Sequence, residues 1–137
     1  MRWSEEYATG VARVDEDHKM IFRMAADYRA ALDAGQGRAV YPDFLDSLFL
    51  YCRGHFGFEE QCMSELRCPV ARKNKDAHAD FLEVLSEFKE RYAANGYDEI
   101  VARSLTDNME EWLANHICNV DIHLKRCVQR RAADNDS

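Results

Sequence analysis

Helix breakers are scarce in this chain, and their placement limits what it can fold into. Its 137 residues include two prolines and six glycines. Gly35-Gln36-Gly37, Arg67-Cys68-Pro69 and Asn95-Gly96 are the only marked interruptions. Between them the apolar residues recur at three- and four-residue steps, the spacing of one helix face, and no alternating strand pattern competes. The spacing predicts four helices, over roughly 16–34, 41–66, 69–94 and 98–130. Asp15 is placed as the first N-cap, and Pro42 in the first turn of the second helix, where its missing N–H costs nothing. Pro69 is placed at the opening of the third, Asn95-Gly96 at its C-cap, and the fourth starts near Asp98.

The inner faces follow from the same spacing. They are His18, Ile21, Phe22, Ala25, Ala26 and Leu32 on the first helix. Leu45, Leu48, Cys52, His55, Glu59, Cys62, Met63 and Leu66 line the second. Ala71, Asn74, His78, Phe81, Leu82, Leu85, Phe88 and Tyr92 line the third, and Val101, Leu105, Met109, Trp112, His116, Val120 and Leu124 the fourth. Four helices joined by short loops fold most simply as an all-α, antiparallel up-down-up-down bundle, here with an N-terminal arm. A chain of this length is expected to be a single domain over 1–137.

Charge and cysteine content exclude several classes of function. The formal net charge of −7 argues against nucleic acid, because phosphate binding needs a basic surface. The basic stretch "KRCVQRR" is short and reads as a solvated helix end followed by a frayed tail. The N-terminus lacks the apolar core of a signal peptide, and no run approaches the ~20 apolar residues of a membrane span. A cytoplasmic protein is expected. Five cysteines (Cys52, Cys62, Cys68, Cys118 and Cys127) make an odd number with no CxxC pair. They read as reduced thiols, mostly small buried hydrophobes.

Polar residues break the apolar faces at one level. In "HFGFEEQC", His55 and Glu59 stand one helical turn apart within an aromatic run, as Asn74 and His78 do on the third helix. His18 falls early on the first helix and His116 late on the fourth. In an up-down bundle these positions all lie at the same end. A single such histidine is more often a satisfied core or surface residue than a ligand. Four on successive helices are harder to satisfy, since each unpaired buried polar group costs about 1–3 kcal/mol. A metal removes that cost by taking neutral imidazole nitrogens and carboxylate oxygens as ligands. Asp121 follows His116 by five residues, roughly 140° apart on an ideal helix. Both reach one site only by flanking it, or if the helix is distorted there. His123 lies about two turns past His116 and is not counted.

These residues resemble the hemerythrin family, in particular the single-domain bacteriohemerythrins. "WSEEYATGVARVDEDHKMIF" is similar to the family's arm and first helix, "HFGFEEQCM" to its second-helix motif, "AHADF" to the third and "WLANHICNVD" to the fourth. The resemblance implies a four-helix bundle holding two iron ions, a non-haem, oxo- or hydroxo-bridged di-iron centre. His18 and His55 would then bind one iron, His78 and His116 the other, and Glu59 and Asp121 would bridge them. The family has a further histidine one turn before His78, where this chain has Asn74. An asparagine carbonyl is a weak donor, so Asn74 is a weak ligand or a residue that positions water, at an unusually open iron site. Ile21, Phe56, Trp112, Leu113 and Ile117 would line the ligand pocket, or are plain core. Cys52 and Cys62 share the stripe of His55 and Glu59, and core packing is the safer reading for both. Glu60 and the lysines flanking Asn74 read as solvated surface.

The expected function is binding of O2 or a related small ligand (peroxide, NO or an azide-like anion) as carrier, store or sensor. Alternatives are a di-iron oxidase, peroxidase or NO-reactive enzyme of the same fold, and a redox signalling module acting on a separate partner. The sequence leaves the oligomeric state open.

Overall fold

The computed structural model describes residues 2–136, including every side chain among them except those of Cys118, Val120 and Asp136. All regular structure among the described residues is helical. A short 3-10 turn at Glu5–Tyr7 precedes α1 (Ala12–Asp33), α2 (Gly37–Glu65), α3 (Ala71–Asn95) and α4 (Glu99–His116). A π-helical segment, Ile117–Asp121, then leads into α5 (Ile122–Asp136). Among the described residues no helix is long and apolar enough to cross a membrane.

Side-chain contacts fix an antiparallel bundle. Between α1 and α4, Tyr28 donates to the Ala102 carbonyl at 2.7 Å, while ten residues earlier His18 meets Asp121. Between α1 and α2, Tyr28 stacks on Phe44 and His18 meets Glu59. Between α2 and α3, Lys89 pairs with Asp46 and Phe56 stacks on His78. In each pair the residue numbers run in opposite directions, as an up-down-up-down bundle requires.

The helix ends show where local reading and tertiary structure diverge. Asp15 does not cap α1. Val11 occupies the N-cap, and Asp15 lies within the first turn. Its carboxylate accepts the backbone N–H and hydroxyl of Thr9 at 2.8 and 2.9 Å, pinning the N-terminal arm. Helix α2 begins at Gly37 rather than at 41, so Pro42 stands inside it. A side chain at position 37 would meet the Tyr97 hydroxyl and Leu32, so glycine lets these two side chains pack directly on the start of α2. Pro69 lies in the turn before α3, which starts at Ala71 behind Val70. Gly96 at φ 74° ends α3, and the Asp98 carboxylate accepts the Val101 N–H to start α4, both as the sequence suggests.

Two apolar clusters make the core. The larger includes Phe22, Tyr28, Leu45, Leu48, Phe56, Leu85, Leu105 and Leu113. A smaller one joins Val14, Met63, Cys68, Leu124 and Cys127. Ala26 is exposed, and Tyr28 takes the inner position instead. On α1, α2 and the α4–α5 stretch, the order along the chain is Val14–His18–Ile21, Phe56–Glu59–Met63 and Ile117–Asp121–Leu124. The buried polar residues therefore lie as a layer between the two clusters.

The reading of all cysteines as reduced thiols is corrected at Cys68 and Cys127, which form a disulfide with their Cα atoms 5.7 Å apart. They are separated by 59 residues, so parity and short motifs carry no trace of the pairing. The "KRCVQRR" stretch is a largely solvated helix end as expected, apart from the buried Cys127, but no frayed tail follows it directly. Helix α5 continues to Asp136, and Arg130 donates to the Leu66 carbonyl at 3.2 Å.

Candidate metal centre

The layer holds His18, His55, Glu59, His78, His116 and Asp121, all buried. Each helix delivers its share by simple spacing: His55 and Glu59 stand one turn apart on α2, and α1, α3 and α4 contribute one histidine each. The exception is the pair His116 and Asp121. The five-residue π-helical segment Ile117–Asp121 follows His116 directly and ends on Asp121, and a π turn closes at i+5 instead of i+4. Residues five apart are thereby brought over each other, and Asp121 Oδ1 lies 3.0 Å from His116 Nε2. Of the two ways the His116–Asp121 spacing allows, flanking the site or distorting the helix, the chain takes the second.

The carboxylates divide their oxygens between two pairs of imidazoles. Glu59 Oε2 lies 3.1 Å from Nε2 of both His18 and His55. Glu59 Oε1 lies 3.2 Å from Nε2 of His78 and 3.8 Å from that of His116. Asp121 behaves alike, with Oδ2 3.1 Å from His18 Nε2 and Oδ1 turned to His116. Two sets of converging ligand atoms result, Glu59–His78–His116–Asp121 and His18–His55–Glu59. Neither includes a cysteine. Cys52 is a free, buried thiol whose pKa burial pushes up to about 12, so it stays neutral as a core group.

Hydrogen bonding accounts for only part of this close approach: His18 Nε2 pairs with Glu59 Oε2 at 3.1 Å. Glu59 Oε1 and both Asp121 oxygens are buried without a properly aligned donor, despite nitrogens at about 3 Å. His78 and His116 bring their Nε2 atoms within 2.9 Å of each other. Nitrogen and oxygen lone pairs aimed at common points are what a bound cation satisfies, so the donor set fits a metal. In the metal-free protein, protons take that place. Burial alone would lower the His18 pKa, but Asp121 and Glu59 together raise it to about 10. His116 follows the same balance, to about 9. Burial opposes ionisation of Glu59, yet four surrounding imidazoles hold its carboxyl well below the usual range.

Asn74 is fully buried one turn before His78, and among the described residues neither its amide nitrogen nor its carbonyl oxygen has a partner. Lys73 and Lys75 beside it are exposed, as the sequence suggests. Of the apolar residues expected around the site, Ile21, Phe56, Leu113 and Ile117 are buried and Trp112 is half-buried. Phe56 stacks on His78 with ring centroids 3.9 Å apart, and Trp112 on His116 at 4.3 Å.

Two acidic residues join the site without a signal in the sequence pattern. Asp17 Oδ2 accepts from His55 Nδ1 at 3.0 Å. Glu60 Oε2 lies 3.2 Å from His78 Nδ1, which corrects its reading as solvated surface. Both neighbour a ligand candidate in sequence, the one cue that was available.

A four-helix bundle that buries imidazoles and carboxylates around shared points defines a cation-binding protein of the bundle class. The chain belongs to the hemerythrin family: residues 9–127 match the hemerythrin HHE cation-binding domain. It is similar to the bacteriohemerythrin of Pseudomonas aeruginosa, at 32% identity over 121 residues covering 87% of this chain and 75% of that one. The bacteriohemerythrin of Ralstonia nicotianae is 26% identical over 134 residues, 98% of this chain and 93% of the relative. A crystal structure of wild-type hemerythrin superposes with a TM-score of 0.78 at 27% identity, covering 93% of this chain and 96% of that one.

Proposed function

We propose that the chain is a single hemerythrin-like domain whose site holds two iron ions and binds O2 or a related small ligand, as carrier, store or sensor. His18 and His55 would hold one iron, and His78 and His116 the other, with Glu59 and Asp121 shared between them. The observation that carries this reading is the division of the Glu59 oxygens, Oε2 to one histidine pair and Oε1 to the other. A carboxylate whose two oxygens face different histidine pairs could be shared between two metals. Bound there, the iron pair supplies redox-active, coordinatively open metal for O2, peroxide, NO or an azide-like anion. The chain's own residues would exclude water around it: Ile21, Phe56, Leu113 and Ile117 are buried, and Trp112 packs on Phe56.

Asn74 favours a second reading. Its unpartnered amide stands where a third imidazole would complete the His78–His116 side, and an amide oxygen is a far weaker donor to iron. An open position on that side suits an oxidase, a peroxidase or an NO-reactive enzyme better than reversible carriage. Stopped-flow mixing of the reduced protein with O2 separates the two. A lasting visible band means binding; direct passage to the ferric spectrum means turnover. The Asn74→His variant should hold the band longer and oxidise more slowly than the natural chain. Equal lifetimes would mean that Asn74 already does the work of the histidine.

A further inference from the structure

Only some of the imidazoles in the layer are held from behind. His55 Nδ1 has the Asp17 carboxylate at 3.0 Å, and His78 Nδ1 has the Glu60 carboxylate at 3.2 Å. Among the described residues, the buried Nδ1 atoms of His18 and His116 have no partner. The arrangement is regular. Asp17 directly precedes His18 on α1 but reaches across to the histidine of α2. Glu60 directly follows Glu59 on α2 but reaches across to the histidine of α3. A residue next to an inward ligand points about 100° round the helix, towards the neighbouring helix. Asp17 is itself fixed, since its other oxygen accepts the Tyr51 hydroxyl at 2.9 Å.

We infer that Asp17 and Glu60 are positioning residues, each clamping one imidazole of a metal-binding pair by accepting its Nδ1–H. The clamp sets the tautomer with Nε2 free, aims that nitrogen inward and makes it a stronger donor. Each side of the centre then has one clamped histidine (His55 or His78) and one free to turn (His18 or His116). The inference rests on the two-metal reading above, and it divides the sides between different carboxylates: Asp17 serves the His18–His55 side alone, Glu60 the His78–His116 side alone.

Two isosteric substitutions, Asp17→Asn and Glu60→Gln, test it with two measurements. Proton NMR of the metal-free protein reads the clamps directly. Asp17→Asn should shift or abolish the protected Nδ1–H signal of His55 only, and Glu60→Gln that of His78 only. Iron release to a chelator from the loaded protein reads the consequence. Each variant should lose one of two equivalents from a site weakened by roughly 10–100-fold, the usual effect of removing such a partner. The other equivalent should leave at the natural rate. Tyr51→Phe, which keeps both carboxylates but releases Asp17 on one side, should loosen only the His18–His55 equivalent, and by less than Asp17→Asn. Glu60 sits at the partly exposed rim of the site, so Glu60→Gln keeps the test open if Asp17→Asn fails to fold. Unchanged NMR signals, or both equivalents loosened together by either variant, would overturn the inference. Fewer than two equivalents in the natural protein, with the NMR pattern as described, would uphold the clamps and overturn the two-metal reading.

Discussion

Breaking the Cys68–Cys127 disulfide should cost the protein much of its stability, and the magnitude follows from the loop it closes. The bridge ties the turn between α2 and α3 to helix α5, across 59 residues of sequence. Cross-linking removes conformational freedom from the unfolded chain in proportion to the logarithm of loop length. For a loop of this size the chain-entropy value is about 4 kcal/mol. With a urea dependence of about 2 kcal/mol per molar, reduction should lower the unfolding midpoint by about 2 M. The comparison is best made on the natural metal-free chain, oxidised and reduced, so that no side chain changes. The Cys68→Ser/Cys127→Ser double variant should unfold with the reduced form. Thiol titration of the unfolded oxidised protein should find two fewer reactive groups than after reduction. Coincident unfolding curves, or equal thiol counts, would refute the reasoning.

Three further outcomes can be checked on the same material. In the metal-free protein the raised His18 and His116 pKa values contribute stability that is fully present below pH 6.5. That stability is lost as pH rises through about 9 to 10, so urea midpoints should fall over that range. The same protons must leave when metal binds, so loading near pH 7 should release about two protons per chain, measurable with a pH indicator. Leu48→Ala, in the fully buried middle of α2, should cost about 2–5 kcal/mol in chemical unfolding without changing metal stoichiometry.

The sequence discloses those features of the molecule that depend on local spacing. Helical period and a few breakers suffice for the four-helix bundle, and the level of His18, His55, His78 and His116 along their helices is enough to place them together. What it hides depends on contacts between distant residues. Asp15 has the look of an N-cap because it precedes an apolar face, but its carboxylate is engaged by Thr9. Glu60 passes for surface because an acid at the edge of a helix face usually is, and only the position of α3 gives it His78 as a partner. The disulfide is invisible for the same reason. The five-residue step from His116 to Asp121 is an instructive middle case. On an ideal helix the two could only flank a site, so the spacing leaves flanking or a distortion open, and the π turn shows which of the two the chain adopts.

Iron content across the natural protein and two variants tests the two-metal centre most directly. The natural protein, produced with ample iron, should carry close to two equivalents per chain. Glu59→Ala removes oxygens that face both histidine pairs and should lose both equivalents, whereas His55→Ala should weaken mainly one. A single equivalent in the natural protein, or full loading of Glu59→Ala, would contradict a centre built on a shared carboxylate.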